Sequence, residues 1–252
     1  QTTLDELGYG SYSSITYEKP DFEIIPDDII ENFFSTKVRS WIEDNQSKWG
    51  QGHFSIEGDV EEDDYYLVIG QCGGDSVVNR QDFGGFFEKI KKICKELSVI
   101  QDRDIIVKLH PYTNGKGAKL GKFRVDYEAE LKLELESYDK KIKVKTGFRS
   151  IHDYLPKARC VIVGNSGAGF EAMMYSKPII SFCCPEYHWV TYDLRKTCDL
   201  RRAIKTEDWH NPDLSAKFLY WYMVEYCIYN EDSAKRRIDD ILRYEDVYIR
   251  RK

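Results

Sequence analysis

Three stretches of this chain carry side chains suited to chemistry, and each follows an apolar run of strand length. The longest is Val161-Ile-Val-Gly-Asn-Ser-Gly-Ala-Gly-Phe-Glu-Ala-Met-Met-Tyr-Ser-Lys-Pro-Ile-Ile180. It reads as a buried strand, a glycine-rich turn, a short helix starting near Ala168, and a second buried strand. Glycines such as Gly167 and Gly169 let a ligand approach the backbone, and the free N–H groups of a first helical turn favour an anion. Asn165 and Ser166 add polar groups to the turn, and Glu171 sits about one helical turn in, placed to accept from sugar hydroxyls. An anion cradle beside a carboxylate suits a nucleotide sugar. Gly167-x-Gly169-x-x-Ala172 matches only a loose dinucleotide pattern. The strict G-x-G-x-x-G and the Gly-Lys-Ser/Thr of a Walker loop are both absent from the sequence.

The second stretch, Asp104-Ile-Ile-Val-Lys-Leu-His-Pro111, is a β-branched run closed by His-Pro. Pro111 biases His110 to an extended conformation and stops the strand. Lys108 and His110 then lie at the carboxyl end of a parallel strand, where open α/β sheets bind ligands. The third, Tyr65-Tyr-Leu-Val-Ile-Gly-Gln-Cys-Gly-Gly-Asp-Ser76, runs a strand into a loop carrying Gln71, Asp75 and Ser76. Three polar strand ends fit one crevice. Each residue also has a plainer reading. The turn at 164–169 serves equally as a tight strand-to-helix connection, Glu171 as a solvated or dipole-pairing residue, and His110 as a structural histidine. Lys108 is either solvated or phosphate-facing, and His188 either reaches the donor or lines the core.

Gln71-x-x-x-Asp75-Ser76, Val107-Lys-Leu-His-Pro111, Asn165-Ser-Gly-Ala-Gly-Phe-Glu-Ala172 and Pro178, in this order and strand context, resemble the bacterial capsule-polysaccharide synthesis proteins. That family includes the transferases of Kdo, 3-deoxy-D-manno-oct-2-ulosonic acid. The resemblance covers roughly residues 65–192. Asp5-Glu-Leu-Gly-Tyr-Gly-Ser-Tyr-Ser-Ser14 is similar to the acidic Gly-Tyr/Phe-Ser motif that precedes the family's nucleotide domain, and Tyr187-His188-Trp189 is a loose version of its aromatic tail. The resemblance implies a GT-B-like, metal-independent, retaining glycosyltransferase with no cofactor beyond its nucleotide-sugar donor, acting on a glycan acceptor. CMP-Kdo is the donor it suggests, with a UDP-, GDP- or dTDP-linked hexose or deoxyhexose such as rhamnose as the alternative. It also implies that the acidic residue of the N-terminal motif is the catalytic carboxylate. Asp5 is expected there, with Glu6 as competitor, opposite His110 at the departing phosphate.

The elements that must position these groups are legible from periodicity. Apolar residues at helical spacing over 27–45 and 83–97 mark amphipathic helices. The segment 127–138 is charged and helix-prone, 142–146 reads as a short strand, and Ser150 caps a turn of helix with Asp153 three residues on. Strands are expected at 65–70, 105–109, 160–164 and 179–183, with helices over 217–229 and 232–242. The sum is an α/β, Rossmann-like parallel sheet. Residues 61–210 form the nucleotide-sugar domain, 1–60 a reduced acceptor-side segment, and 211–252 C-terminal helices packing back across both.

Bulk properties narrow the classes. With 252 residues, 42% hydrophobic and 32% charged, the chain has material for a large core. No apolar run approaches the ~20 residues of a membrane span, and a net charge of −6 argues against a dedicated nucleic-acid binder. Seven scattered cysteines without a Cys-x-x-Cys pair suggest neither zinc nor a disulfide framework, and fit a reducing, cytoplasmic compartment. No Asp-x-Asp sits at a strand end, so no metal site is expected. A start at Gln1 and a short first part are expected of a segment of a larger multidomain polypeptide. Two other classes share this scaffold: a sugar-nucleotide epimerase or hydrolase, and a non-catalytic nucleotide-sugar or glycan-binding domain.

Overall fold

The computed structural model describes residues 2–5, 7–8, 10–47, 62–71, 85–110, 127–197, 199–206 and 208–249. Glu6, Asp75, Ser76 and Pro111 lie outside them, as does the expected division between residues 60 and 61.

Among the described residues six parallel strands make the central sheet: β2 (Tyr65–Ile69), β3 (Ile105–Lys108), β4 (Ile142–Lys145), β5 (Ala158–Val163), β6 (Ile179–Ser181) and β7 (Tyr192–Asp193). Their order is β4-β3-β2-β5-β6-β7. Counted from β2 this is 3-2-1-4-5-6, the doubly wound order whose direction reverses between β2 and β5. Two further strands, β1 (Thr2–Thr3) and β8 (Cys227–Ile228), pair antiparallel and join the N-terminal segment to the stretch before the last helix. Neither β1, β7 nor β8 was expected, because two residues carry no periodicity to read.

Helices α1 (Asp27–Phe33) and α2 (Arg39–Glu43), joined by a π turn at Phe34–Val38, precede the sheet. The crossovers from β2 to β3 and from β3 to β4 carry α3 (Phe86–Ile100) and α4 (Tyr127–Tyr138), and α5 (Ala168–Met174) joins β5 to β6. After β7 come α6 (Leu194–Thr197), α7 (Leu200–Thr206), α8 (Pro212–Tyr220) and α9 (Glu231–Ile249). Asn211 caps α8, accepting from Leu214 N at 3.0 Å, with Pro212 in the first turn. The helix expected over 217–229 is instead the end of α8, a π turn at Trp221–Tyr226 and β8, because Cys227 turns extended.

Strands of such a sheet are covered on both faces and read as continuous apolar runs, and all five residues of β2 are buried. Alternation splits them. Tyr65, Leu67, Ile69, Ile106, Val161 and Val163 belong to one apolar cluster with residues of α5, α8 and the N-terminal helices. Tyr66, Val68, Val107 and Ile162 belong to a second with α3, α4 and α7. In α3 the buried side chains are Phe87, Ile90, Ile93, Cys94 and Leu97, the stripe its periodicity predicts. Phe22, Phe33 and Val38 share the first cluster with Val161, Phe218 and Tyr222, so all three segments outlined above contribute to one core.

Two glycines of the β5–α5 turn are required by close approach. A Cβ on Gly169 would lie 2.2 Å from the Tyr187 ring, and one on Gly164 would lie 2.5 Å from Phe86 and 2.6 Å from Gln71 Oε1. Gly169→Ala should therefore destabilise the fold by about 1–3 kcal/mol through overpacking. Urea unfolding would show this as a lower midpoint at unchanged slope.

Candidate functional site

The carboxyl ends of β3, β2 and β5 lie side by side where the strand order reverses. Gly70 N donates to Lys108 O at 2.8 Å, which sets Gln71 beside the end of β3. On the other side Gln71 grips the β5 turn twice. Its Nε2 donates to Asn165 Oδ1 at 2.7 Å, and its Oε1 accepts from Asn165 N at 3.0 Å. Asn165 Nδ2 donates to Ser11 Oγ (3.1 Å), whose own proton goes to Cys184 O (2.6 Å). The N-terminal Gly-Ser segment is thus stitched to the crevice, and Trp189 Nε1 donating to Ile15 O (2.7 Å) holds it again.

The turn before α5 is half-exposed at Asn165, Ser166 and Gly167. Ser166 Oγ accepts from Ala168 N at 3.2 Å, and its hydroxyl proton has no acceptor among the described residues. Ser166 O accepts from Tyr187 OH, which anchors the turn to the core. Gly167 has ordinary right-handed helical angles and Gly169 is buried under Tyr187, so Gly169 serves packing at its Cα. Glu171, only 8% exposed, accepts from Ser47 Oγ.

Lys108 is buried beyond what its alternation in β3 indicated. Its Nζ is 3.5 Å from Gly147 O and 5.6 Å from the Tyr154 ring centroid. Burial pushes its ammonium down to about 8, against the opposing pull of Asp153 and Glu128. His110 is half-buried one residue past Leu109. His188 is buried, meets the Trp189 ring at a tilt with 4.2 Å between centroids, and donates from Nδ1 to Pro185 O (2.9 Å). Burial holds it below its ordinary value despite that bond. Among the described residues no group of three or more His, Cys, Asp or Glu side chains is arranged to hold a metal ion.

Asp5, expected to face the sugar, has its carboxylate fully enclosed. It accepts from Leu7 N (2.9 Å), Gly8 N (3.2 Å), Ser14 N (2.8 Å), Ser14 Oγ (2.6 Å) and Tyr226 OH (2.8 Å), with Arg237 3.6 Å away. In this arrangement it organises the loop that carries Ser11 to Asn165.

A family model described as capsule polysaccharide biosynthesis protein matches residues 46–229, well over half of the chain. The chain belongs to the capsule polysaccharide biosynthesis family. Among solved structures it is similar to "Thermosulfurimonas dismutans KpsC, beta Kdo 2,4 transferase", at 18% identity and TM-score 0.55, over 85% of this chain and 64% of that one. The "beta Kdo 2,7 transferase" of the same KpsC aligns at 18% identity over 78% and 53%, with TM-score 0.46. The chain therefore spans less than two thirds of the length of these structures. The first likeness establishes a GT-B-like, Rossmann-like α/β fold. No curated protein matches the chain. Among the described residues no helix is long and apolar enough to cross a membrane.

For this member of the capsule polysaccharide biosynthesis family, sequence reasoning missed Ser11, Ser47 and the Cys184 carbonyl. Ser11 lies within the Gly-Tyr-Gly-Ser motif and was findable there, whereas nothing in the sequence around Ser47 points to Glu171. One consequence of the Asp5 cage is measurable. Burial raises the Asp5 pKa, but hydrogen bonds from the Ser14 hydroxyl and amide, Leu7 and Tyr226 outweigh it and leave it below its ordinary value. A carboxylate with a depressed folded-state pKa contributes stability above its unfolded-state pKa and loses it as pH falls through the folded one. Asp5→Asn should lower the melting temperature at pH 7 and flatten its decline below about pH 4. Melting curves from pH 7 to 2 check this.

Proposed function

We propose that this chain is the nucleotide-sugar half of a glycosyltransferase that moves a sugar from a nucleotide-sugar donor to a hydroxyl of a growing glycan. The observation that carries the reading is the Gln71–Asn165 lock at the reversal point of a doubly wound sheet, in a chain of the capsule polysaccharide biosynthesis family. Ligands bind such sheets in the crevice outside the strand ends at that point.

The nucleotide lies across the ends of β2 and β5. Its ribose hydroxyls donate to Glu171. Its phosphate meets the Ser166 hydroxyl and the turn at Gly167, with His110 and the buried Lys108 supplying positive potential. Transfer breaks the bond between the anomeric carbon and the phosphate oxygen and forms one to the acceptor oxygen. Negative charge develops on the departing phosphate, where preorganised donors lower the barrier most. Asp5 acts through the Ser11-bearing loop it holds. His188 lies beyond Cys184 on the β6 side and orients the donor. The anomeric configuration is retained, no metal takes part, and the donor is CMP-Kdo or a UDP-, GDP- or dTDP-linked hexose or deoxyhexose. The first similar structure is named as a Kdo transferase, which favours the Kdo donor.

Calorimetry with CMP, CDP, UDP, GDP and dTDP should find at least one binder. Glu171→Ala should weaken it by about 1–3 kcal/mol through a lost acceptor for a buried hydroxyl. A folded protein that binds none of the five overturns the reading. Turnover measured with and without a glycan acceptor separates transfer from hydrolysis or epimerisation. In the same assay the rate should survive EDTA, whereas loss on chelation with recovery on adding manganese or magnesium would require a metal-dependent transferase.

A further inference from the structure

We infer that Ser47 is a positioning residue for the Glu171 carboxylate, holding it toward the sugar hydroxyls of a bound nucleotide. This rests on the ribose role proposed above for Glu171.

Ser47 lies 124 residues from Glu171 in sequence, in the segment that follows α2, yet its hydroxyl donates to Glu171 Oε1. A serine side chain is short, so the backbone must deliver it, and three features do so. First, α2 ends in a left-handed turn at Asn45, with φ 51°. Asn45 N donates to Ile42 O at 3.0 Å and Gln46 N to Trp41 O at 2.8 Å. This is the Schellman pattern, with asparagine in the left-handed position it tolerates best after glycine. Second, Ser150 Oγ donates to Asn45 Oδ1. Third, Gln46 O accepts from His152 Nε2 at 2.9 Å. A carbonyl can only accept, so Nε2 carries the proton and Nδ1 accepts from Tyr175 OH at 2.9 Å.

These contacts close a ring. Tyr175 is the C-cap residue of α5, the helix that carries Glu171. The path runs from Glu171 to Ser47, along the backbone to Gln46, through His152 to Tyr175, and back up α5. His152 is 2% exposed and Glu171 8%, whereas Ser47 and Tyr175 are half-buried and Gln46 is exposed, so the ring reaches from the core to the surface. A hydroxyl donating to a carboxylate is a charge-assisted bond, stronger than a neutral one. It fixes the glutamate rotamer before a ligand arrives, which removes an ordering cost from binding.

The test is calorimetry with CMP, UDP and GDP and with their 2′,3′-dideoxy counterparts, on the wild type, Ser47→Ala, Ser47→Thr and Glu171→Ala. Ser47→Ala should weaken the ribonucleotide that binds by about 3- to 10-fold, the scale of one hydrogen bond. It should leave the dideoxy counterpart at wild-type affinity, and Ser47→Thr should restore ribonucleotide binding. If no ribonucleotide binds, or if Glu171→Ala binds like wild type, the ribose reading itself fails. If Glu171→Ala weakens binding while Ser47→Ala does not, Ser47 alone loses its role. Equal loss of both ligands in Ser47→Ala would make the contact a structural tether. Tighter binding would make Ser47 a competitor of the ligand. Either result overturns the inference.

Discussion

The crevice depends on one pairing, the two-point grip of Gln71 on Asn165. A side-chain amide and a backbone amide are satisfied together at 2.7 and 3.0 Å, across the one place in the sheet where neighbouring strands send their chains in opposite directions. The grip explains the glycine before it, since a Cβ on Gly164 would displace Gln71 Oε1. It also turns the Asn165 amide so that Nδ2 is left to hold Ser11. Buried polar networks are worth having only when each member is satisfied. Here the chain of donors runs from Gln71 through Asn165 and Ser11 to a main-chain carbonyl at Cys184.

Around that pairing the aromatic core ties loops as well as filling space. Tyr65 OH donates to Tyr154 O, Tyr187 OH to Ser166 O, Tyr226 OH to Asp5 and Tyr222 OH to Glu186. Burial raises the pKa of Tyr65, Tyr187 and Tyr226, so these phenols stay protonated donors. A tyrosine offers a large apolar body and one polar tip, and the tips here reach the irregular segments that border the strand ends. Phe170 stacks on Tyr222 at 4.1 Å and meets Tyr187 edge-on at 4.8 Å, which joins α5 to the π turn after α8.

Much of this was readable in the residues. Long apolar runs at β2, β3 and β5 declared strands buried on both faces, and the stripe in α3 declared the face it buries. Gln71, Lys108 and Asn165 were placed at adjoining strand ends from local pattern alone. Other features depend on tertiary partners that no local pattern names. The glycine at 169 looked like room for a ligand, but the space is taken by a tyrosine 18 residues later. Asp5 was expected as the carboxylate facing the sugar, but four donors from its own loop and one from Tyr226 enclose it. Short strands such as β1 and β8 exist only because their partner is present.

The Asp5–Tyr226 bond spans 221 residues of sequence, and β1 meets β8 across a similar distance. Contacts of such separation form late, because the entropy of closing the loop must be met before they give anything back. During synthesis the sheet and its α3–α5 crossovers can assemble as the chain emerges. The wall that carries Ser11 must wait until Tyr226 and Arg237 have been made. The growing chain therefore passes through a stage with a finished sheet and an unwalled crevice, and closes that crevice only after Tyr226 and Arg237 have emerged.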